Sequence, residues 1–514
     1  MGRKFETEFP LTKILATLGP ASEDAGTIGR LIESGVRVFR INFSHGTFDD
    51  YERMLDRVRQ VSRDRGVYVG VLGDLCGPKL RVGKVVEGGV QLTPGSRVEF
   101  RRDVEETTAP VDGAPVKLST NYPMLVEEVE PGQNILLDDG KVRLVCREKT
   151  GRGAARSLVC KVIHGGTITS RKGVNLPDTK LSTPALTEKD EECVKFAVEK
   201  EFDFLALSFV RSSDDVKELK QRLQDLGAHP GYSFRSKEGR EFSSESPLAI
   251  PVISKIEKPQ ALDDLEAIVD ASDAVMVARG DLGVEMDLEE VPLTQKRIIA
   301  ECHERGRPVI VATQMLESMI NSPTPTRAEV SDVANAIFDG ADSVMLSGET
   351  AAGKYPVESA EMMHRVAQRT DEHLKSLPVS MTPPRKIRRT AYHPEALASG
   401  VGRIVRELDA RLVVVWSHLD GSSVFLSQNR LSRPVLVFSS NESALRRSTI
   451  LYGAHPVYME PPANSDDFIR KADRLLLENN VVAKDDPIVF VLGEGFGKPG
   501  VVNKIGIHYA GETE

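Results

Sequence analysis

The sequence predicts an α/β fold: a (β/α)8 TIM barrel with an all-β lid after its third strand, followed by a C-terminal α/β domain. Eight short apolar runs, rich in β-branched residues, alternate with helical patterns as in a parallel barrel. One long stretch between the third and fourth runs lacks any helical pattern. Polar side chains follow the ends of several runs, where the active sites of such barrels lie.

The barrel begins after a polar lead-in at residues 1–11. Strands are predicted at 12–20, 36–43 and 67–74, and helices at 24–34 and 49–65. The next stretch, 84–177, consists of short strand-like pieces separated by Gly-Gly, Pro-Gly and Asp-Gly turns. We therefore predict an all-β lid domain there.

Strand–helix alternation then resumes, and Thr187-Glu-Lys-Asp190 predicts a capped helix start. Five further strands are predicted at 204–209, 251–254, 274–278, 308–312 and 342–346. With the first three strands they complete eight βα units, so the barrel domain comprises 12–83 and 178–375. A polar segment at 227–245 precedes the fifth strand. As an αβ loop it is expected at the surface or at an interface, on the face opposite the active site.

A second α/β unit follows the barrel. Residues 376–390 are rich in Ser, Pro and basic side chains and are predicted to form a linker. Alternation returns in 391–514, with strands predicted at 412–416, 435–438, 456–458, 488–492 and 505–508. This pattern predicts a separate small α/β domain.

The composition excludes several classes of protein. At 514 residues, 40% hydrophobic and 28% charged, the chain has the make-up of a globular protein with ample core. Its net charge of −9 argues against a dedicated binder of nucleic acid or anionic membranes. Five dispersed cysteines without a CxxC pair indicate reduced thiols. No signal peptide and no apolar run of roughly 20 residues is visible, so we expect a cytoplasmic protein.

Residues 250–281 carry the strongest chemical signal. Two apolar runs there break abruptly into charge, with Lys255 and Glu257 after the first and Arg279 and Asp281 after the second. Carboxylate oxygens are hard ligands that suit Mg²⁺, and an ammonium group can neutralise charge on a transferring phosphoryl group. Buried ion pairs between adjacent strands are the alternative explanation of this stretch.

The same pattern recurs at the ends of other strands. The polar residues that follow predicted strands are Arg40, Asn42, Ser44, His45, Asp74, Lys255, Glu257, Asp281, Thr313, Gln314, Ser347 and Glu349. Asn and Ser often only cap the next helix, but six strands that share the pattern favour an active site.

Seven motifs identify a family that the chain resembles. They read FRINFSHG, GDLCGPKLR, KGVNLP, ISKIEKP, MVARGDLGVE, VATQMLESM and MLSGETAAGKYP, in this order. They resemble the motifs of pyruvate kinase, strongly over residues 12–370 and more loosely in the C-terminal domain. The family's barrel, lid and regulatory domains match the architecture predicted above. The resemblance implies phosphoryl transfer from phosphoenolpyruvate to ADP, giving pyruvate and ATP, the final step of glycolysis.

The resemblance also implies roles for the strand-end residues. Glu257 and Asp281 match the ligands of Mg²⁺ or Mn²⁺, and Lys255 matches the lysine that stabilises the phosphoryl group and the enolate. Thr313 matches the threonine implicated in enolate protonation, which we expect to act through water with Ser347 and Glu349 in the relay.

Substrate contacts are implied in the same way. Arg40 matches the phosphate-binding arginine, with Arg81 as a second cation nearby. The backbone amides of Ala278, Arg279 and Gly280 are expected near the substrate carboxylate, which Gly280 can approach because it lacks Cβ. ADP should enter between barrel and lid with a second Mg²⁺, near His45 and Arg81. The family's habit implies a homotetramer with allosteric control.

The chain departs from the family where a K⁺ ion often binds. The K⁺ ligands match Asn42, Ser44, Asp74 and the carbonyl of Leu75. The motif that usually reads Asp-Thr-Lys-Gly-Pro-Glu is here Asp74-Leu-Cys-Gly-Pro-Lys79. In a K⁺-independent branch of the family a lysine ammonium replaces the ion, so we predict that Lys79 makes this chain K⁺-independent.

The predicted effector loop departs as well. The family's hydroxyl-rich phosphate loop corresponds to Ser417-His-Leu-Asp-Gly-Ser-Ser423, and a second loop retains Lys498. Candidate effector residues are therefore Ser417, Ser422, Ser423 and Lys498. Asp420 would place an anion among phosphate donors, so we predict weak or absent activation by fructose 1,6-bisphosphate. A different phosphorylated effector stays open.

Two alternatives to this function exist. One is another Mg²⁺-dependent barrel that handles phosphoenolpyruvate or pyruvate, such as an aldolase or mutase, but it leaves the lid and C-terminal domain unexplained. The other is a regulator that has lost catalysis. The joint presence of Lys255, Glu257, Asp281 and Thr313 favours an active enzyme.

Overall fold

A computed structural model of the chain describes residues 9–110, 114–232, 248–377, 394–493 and 502–512. Numbered in chain order, the strands are β1 Lys13–Thr17, β2 Val36–Asn42, β3 Gly70–Asp74, β4 Val90–Leu92, β5 Arg97–Phe100, β6 Val116–Leu118, β7 Asn134–Leu137, β8 Val142–Thr150, β9 Ser157–His164, β10 Gly166–Ile168, β11 Val174–Asn175, β12 Phe204–Leu207, β13 His229–Pro230, β14 Ala249–Ile250, β15 Val252–Ile256, β16 Ala274–Ala278, β17 Val309–Ala312, β18 Ser343–Leu346, β19 Leu412–Trp416, β20 Val435–Ser439, β21 Ala454–Tyr458, β22 Pro487–Gly493 and β23 Val502–Tyr509.

The helices alternate with these strands outside the lid. They are α1 Ala25–Glu33, α2 Phe48–Arg65, α3 Leu125–Glu128, α4 Glu188–Glu199, α5 Ser213–Asp225, α6 Leu265–Ala271, α7 Arg279–Glu285, α8 Val291–Arg305, α9 Arg327–Asp339, α10 Gly348–Ala351, α11 Pro356–Ser376, α12 Pro394–Glu407, α13 Gly421–Gln428, α14 Glu442–Ser448 and α15 Ser465–Glu478. Short 3-10 turns occupy Gly153–Ala155, Pro259–Leu262, Leu288–Glu290 and Glu317–Ile320. No helix of the described segments has the length and apolar character that crossing a bilayer requires.

Eight parallel strands close into the predicted barrel. Around the ring their order is β1, β18, β17, β16, β15, β12, β3 and β2. Short β-branched and apolar runs such as Val309–Ala312 are fully buried, since helices cover the outer face of the barrel and side chains fill its interior. The (β/α)8 prediction is confirmed, and the strand ends that it aligned do share one face of the molecule.

Local capping fixes where the barrel helices start. Thr187 caps α4 as predicted: its hydroxyl accepts from the Asp190 amide at 3.1 Å, and Asp190 Oδ2 accepts from the Thr187 amide at 2.9 Å. The other oxygen of Asp190, Oδ1, accepts from the Cys76 amide at 2.7 Å. The cap of α4 therefore also holds the loop after β3, where part of the predicted site lies.

Buried aspartates fix the opposite end of the barrel. Asp203, Asp273 and Asp342 directly precede β12, β16 and β18. Their carboxylates accept from the backbone amides of Val71, Val252 and Val309 at 2.8, 2.9 and 2.8 Å. Each aspartate thus satisfies a buried donor at the start of a neighbouring strand, which would otherwise be costly to bury.

The lid is built from strands, as predicted, with one short helix, α3. β4 pairs with β10, and a sheet in the order β11, β7, β8, β9, β5 and β6 forms the rest. Its apolar cluster runs from Leu80 to Leu176, so packing with the lid begins a few residues before position 84.

The C-terminal domain is a five-stranded sheet in the order β21, β20, β19, β22 and β23, with β23 antiparallel to β22. Trp416, Phe438 and Phe490 each pack edge-to-face on Phe468. These aromatic contacts form the core between the sheet and α15.

This domain contacts the barrel at the end opposite the strand carboxyl ends. Arg446 pairs with Asp203 at 2.8 Å, and Arg430 pairs with Asp342 at 3.0 Å. Arg447 Nη1 donates to the carbonyl of Ala249 at 3.3 Å. Ala249 lies just after the polar segment predicted at 227–245, whose residues from 233 onward, like most of the predicted linker 376–390, lie outside the described residues.

Candidate active site

The candidate active site centres on Lys255, which extends from β15 near its carboxyl end and is only 8% exposed. Its Nζ donates to Ser208 Oγ at 2.9 Å and lies 2.9 Å from Glu257 Oε1 and 3.2 Å from Asp74 Oδ1. Burial lowers the pKa of Lys255, but the Asp74 and Glu257 carboxylates outweigh it and raise that pKa above its ordinary value. The ammonium group is therefore a fixed positive charge.

Asp74 at the end of β3 joins Lys255 to Arg40 of β2. Its Oδ2 accepts from Arg40 Nε at 2.6 Å, and Arg40 Nη1 donates to Thr17 Oγ1 at 3.2 Å. Burial raises the pKa of Asp74, but Arg40 and Lys255 outweigh it and hold that pKa below its ordinary value. Residues of the second, third and fifth barrel strands thus meet in one charged cluster.

Glu257 and Asp281 are two neighbouring carboxylates whose oxygens could hold a metal. The Glu257 carboxylate is 2% exposed and accepts from the Phe209 amide at 2.7 Å. Burial raises the pKa of Glu257 to about 7 against the opposing charge of Lys255, and the nearby Asp281 charge adds to the rise. Two carboxylates that raise each other's energy in this way fit a hard divalent cation such as Mg²⁺ or Mn²⁺.

The protein donors alone do not complete a metal site. Within the described residues, no group of three or more His, Cys, Asp or Glu side chains is placed to hold a metal. A cation held by Glu257 and Asp281 would therefore take its other ligands from substrate or water, which leaves coordination positions open for chemistry.

The start of α7 meets the end of β17 at a close contact. The Gly280 amide donates to Thr313 Oγ1 at 2.7 Å, and that hydroxyl donates to the Ala312 carbonyl at 2.6 Å. The Arg279 side chain donates to the Thr313 carbonyl at 3.0 Å and pairs with Asp332 at 2.6 Å. Thr313, Ala278, Arg279 and Gly280 therefore lie together, and the Gly280 amide is already engaged by Thr313.

Glu349 and Ser347 lie at the end of the eighth barrel strand. Glu349 is fully buried and accepts from the amides of Ser347 and Leu316 at 2.7 and 3.0 Å. The Ser347 hydroxyl is buried and has no hydrogen-bond partner among the residues that the structure describes. Glu349 thus fixes the backbone of two loops, while Ser347 keeps its hydroxyl available.

The predicted monovalent-cation region lies beside this cluster. Asn42 Oδ1 accepts from the Ser44 amide at 3.0 Å, and the Leu75 carbonyl accepts from Ser208 Oγ at 2.7 Å. Both oxygens of Asp74 already contact cations, as described above. Lys79 is exposed and forms no ion pair with any described residue.

A cleft opens between the barrel and the lid beside Asp281. Lys79, Arg211 and Lys258 line it together with Asn175 and Asp139 from the lid. The three cations outnumber the two carboxylates that line the cleft, Asp139 and Asp281, and this balance favours an anionic ligand. Neither of the two predicted nucleotide contacts is among the residues that line this cleft: His45 is exposed at the end of the second strand, and Arg81, which directly follows the lining residue Leu80, donates from Nη1 to the Arg171 carbonyl at 2.9 Å.

The C-terminal loop differs from expectation at Asp420. Its carboxylate is 2% exposed and accepts from Arg447 Nε at 3.1 Å on both oxygens. The expectation that it projects among phosphate donors is therefore wrong, because Arg447 draws it into the domain. Ser417 and Ser423 donate to the carbonyls of Leu419 and Asp420. Ser422 is partly exposed, and Lys498 lies outside the described residues.

Sequence reasoning missed four residues of the site: Ser208, Asn175, Lys258 and Glu285. Ser208 directly follows β12, so the same strand-end criterion would have found it. The other three lie within the motifs KGVNLP, ISKIEKP and MVARGDLGVE. Glu285 contacts the other two although all three are far apart in the sequence, and a sequence pattern does not reveal such contacts.

Comparison with known proteins agrees with this geometry. A family model described as "Pyruvate kinase, barrel domain" matches residues 9–230 and 235–360, and one described as "Pyruvate kinase, alpha/beta domain" matches 395–508. Pyruvate kinase of Corynebacterium glutamicum is 40% identical over 501 residues, covering 98% of each chain. Pyruvate kinase of Mycobacterium tuberculosis is 39% identical over 503 residues, covering 98% of this chain and 99% of the relative.

A solved structure gives the same result. The crystal structure of a pyruvate kinase from Cryptosporidium parvum superimposes with a TM-score of 0.84 at 31% identity, covering 98% of this chain and 96% of that one. Both domain families and relatives of matching length span the barrel, the lid and the C-terminal domain. The chain belongs to the pyruvate kinase family.

Proposed function

We propose that this site transfers the phosphoryl group of phosphoenolpyruvate to ADP with Lys255 as its central catalytic residue. The bond between the phosphorus and the enol oxygen breaks, a bond to the terminal oxygen of ADP forms, and the enolate takes a proton to become pyruvate. The observation that carries the proposal is the buried Lys255 ammonium, held between Asp74 and Glu257. A fixed charge of this kind stabilises the migrating phosphoryl group without reorganisation.

Further residues have supporting roles in the proposal. Glu257 and Asp281 would hold Mg²⁺ or Mn²⁺, which supplies charge neutralisation for the phosphate and carboxylate oxygens of the substrate. Arg40 would bind the phosphate, since its guanidinium is anchored by Asp74 and Thr17. The amides of Ala278 and Arg279 would face the substrate carboxylate.

Proton delivery to the enolate would involve Thr313 and Ser347. Threonine is a poor acid, so the proton would come through water. The Ser347 hydroxyl, buried without a partner among the described residues, supports its place in that relay. Glu349 would position the relay indirectly, because its carboxylate holds the backbone amides of Leu316 and Ser347.

A lactate-dehydrogenase-coupled assay with phosphoenolpyruvate, ADP and Mg²⁺ tests the function. We expect turnover to pyruvate and ATP, and we expect Lys255→Met to lower kcat by at least ~100-fold, the scale of losing one electrostatic stabiliser. Lys217→Met, on the exposed face of α5, is the matched control and should keep full activity. Pyruvate formation without ATP would favour another barrel chemistry, and no turnover would favour a non-catalytic regulator.

We further propose that the enzyme needs no K⁺. Lys79 lines the cleft and its ammonium forms no ion pair with the part of the chain that the structure describes, and Asp74 already contacts two cations. Turnover in rigorously K⁺-free buffer should match that in 100 mM K⁺, and Lys79→Glu should introduce K⁺ dependence. A collapse of wild-type activity without K⁺ would refute the proposal.

The remaining proposals concern binding partners and regulation. ADP would enter the barrel–lid cleft, with Arg81 and His45 at its margins. Weak or absent activation by fructose 1,6-bisphosphate is supported by Ser417 and Ser423, whose hydroxyls already bond to backbone carbonyls. Titration of that sugar at subsaturating phosphoenolpyruvate tests this, and a large fall in half-saturation would contradict it. A homotetramer in the cytoplasm is the assembly we propose, with sedimentation analysis as its test.

A further inference from the structure

Glu285, the last residue of α7, connects the lid to the barrel. Its Oε1 accepts from Asn175 Nδ2 at 2.8 Å and from Lys258 Nζ at 2.8 Å. Asn175 lies in β11, the last strand of the lid, whereas Lys258 directly follows Glu257. One buried oxygen therefore joins three segments: the lid, the exit of β15 and the helix that carries Asp281.

The bond is well shielded from water. The side chains of Glu285 and Lys258 are 1% and 10% exposed, so their charge pair lies in a low-dielectric setting where loss of a partner is costly. The Lys258 ammonium also lies 5.9 Å from the centre of the Phe209 ring. Phe209 in turn donates its amide to Glu257. The pair thus contacts the surroundings of one proposed metal ligand.

Glu285 is also linked to the second proposed metal ligand. Asp281 and Glu285 are four residues apart in α7, so they lie on the same face of the helix, about one turn apart. Because the helix moves as a unit, a displacement of Glu285 shifts Asp281 and the Gly280 amide that contacts Thr313. Asn175, Lys258 and Asp281 line the same cleft.

Only one oxygen of Glu285 takes part in these bonds. Its Oε2 is buried and has no hydrogen-bond partner among the described residues. The carboxylate is thus held from one side only, by one lid donor and one barrel donor. Removing the Asn175 donor therefore breaks this link between α7 and the lid while the Lys258–Glu285 ion pair stays in place.

We propose that Asn175, Glu285 and Lys258 form a clasp through which the position of the lid sets the orientation of the metal-binding face of α7. Glu285 and Asn175 are positioning residues, since they act through Asp281 and Glu257 and not on the substrate. The proposal rests on the proposed function, because it assigns the clasp to the metal and nucleotide site of that reaction. A purely structural ion pair is the alternative.

The test uses an exchange of the two bonding groups. Asn175→Asp places a second carboxylate against Glu285 and should break the clasp. Asn175→Asp combined with Glu285→Gln restores one amide and one carboxylate in reversed positions and keeps a single negative charge in the cluster. Gln91→Glu makes the same chemical change at an exposed site of the lid and serves as the control. Asn175→Ala removes the lid donor without adding charge.

The readouts separate positioning from stability. For Asn175→Asp we expect a rise of about tenfold in the half-saturating Mg²⁺ and ADP concentrations, a smaller loss in kcat, and a thermal midpoint close to that of wild type. The exchanged double variant should recover most of the loss, and Asn175→Ala should change the same constants in the same direction by less. Gln91→Glu should behave as wild type.

Several results would overturn the clasp. They are unchanged Mg²⁺ and ADP constants in Asn175→Asp and Asn175→Ala, a double variant no better than the single one, or a loss confined to the thermal midpoint. Calorimetric titration of Mn²⁺ with phosphoenolpyruvate present gives a readout without turnover. If wild type lacks turnover but Asn175→Asp still weakens Mn²⁺ binding, the proposed reaction fails and the clasp stands.

Discussion

At the residue scale, Gly280 and Thr313 form a tight contact that leaves little room for a side chain at position 280. Thr313 has a φ of +68°, a region that a β-branched residue occupies at a cost of ~1–3 kcal/mol. Its hydroxyl bonds to the Gly280 amide and the Ala312 carbonyl hold it there. A Cβ on Gly280 would lie 3.2 Å from Thr313 Oγ1, tighter than most such contacts, and 3.4 Å from Thr313 Cβ, so the Thr313 side chain would have to shift by a few tenths of an ångström.

Gly280→Ala should therefore displace Thr313 and lower kcat/KM for phosphoenolpyruvate by at least tenfold, ~1.4 kcal/mol of transition-state stabilisation. Gly283→Ala is the matched control in the same helix, because its Cβ would meet the free end of the exposed Leu288 side chain at 3.0 Å, which can move aside, and Val291 Cγ2 at an ordinary 3.8 Å. Steady-state kinetics and thermal unfolding of both variants check the prediction. Equal activity in the two alanine variants would show that Thr313 needs no exact placement.

At the element scale, the sequence predicts which strands exist better than it predicts which side chains meet. Hydrophobic alternation is local, so all eight barrel strands are recognisable, and parallel topology alone brings their polar ends together. The pairing of Asp74 with both Arg40 and Lys255 depends on register and rotamer, which the pattern does not encode. Asp420 shows the same limit: its neighbours in sequence suggest a loop anion, but distant Arg447 buries it.

The end of α8 offers a pH test at this scale. His303 Nε2 lies 2.9 Å from the carbonyl of Gly340, which ends α9, so the neutral ring donates this bond. Burial, aided by Arg430, lowers the pKa of His303 from 6.5 to about 4. Below pH 6.5 the unfolded chain binds a proton that the folded chain refuses, so stability is full above that pH and is lost as pH falls toward 4.

His303→Gln keeps a donor but cannot titrate, so it should remove this loss. Between pH 7.5 and 5.5 we expect wild type to lose ~1 kcal/mol more unfolding free energy than His303→Gln, given ~1.4 kcal/mol per unit of pKa shift. Denaturant unfolding at the two pH values measures the difference, and all other titrating groups are common to both proteins. Parallel pH profiles would contradict the assignment.

At the scale of the whole molecule, the C-terminal domain and the catalytic site occupy opposite ends of the same strands. Arg430 and Asp342 pair across the interface with side chains 5% and 1% exposed, and Asp342 directly precedes β18, the strand that leads to Ser347. A pair this deeply buried adds little net stability, but losing one partner leaves a charge that water cannot reach. The Arg430–Asp342 pair therefore connects the C-terminal domain, through β18, to the end of the barrel where Ser347 lies.

The Arg430–Asp342 pair predicts how the stability of the protein changes with pH. Burial raises the pKa of Asp342 to about 6 even with Arg430 opposing it, so the folded chain holds this proton more tightly than the unfolded chain does. Stability from this group therefore falls as pH rises from about 4 to 6, and without Arg430 the fall should extend to higher pH.

Arg430→Met keeps the apolar contact with Tyr452, whose ring centre lies 3.9 Å from the guanidinium carbon, but leaves Asp342 without its Arg430 partner. We expect a loss of ~3 kcal/mol at pH 7.5 and a smaller loss at pH 5.5. Asp342→Asn in the same chain removes the stranded charge and still accepts from the Val309 amide, so the double variant should regain most of the stability. Thermal unfolding at both pH values decides the matter: a double variant as unstable as Arg430→Met would mean that packing, not charge, makes Arg430 important.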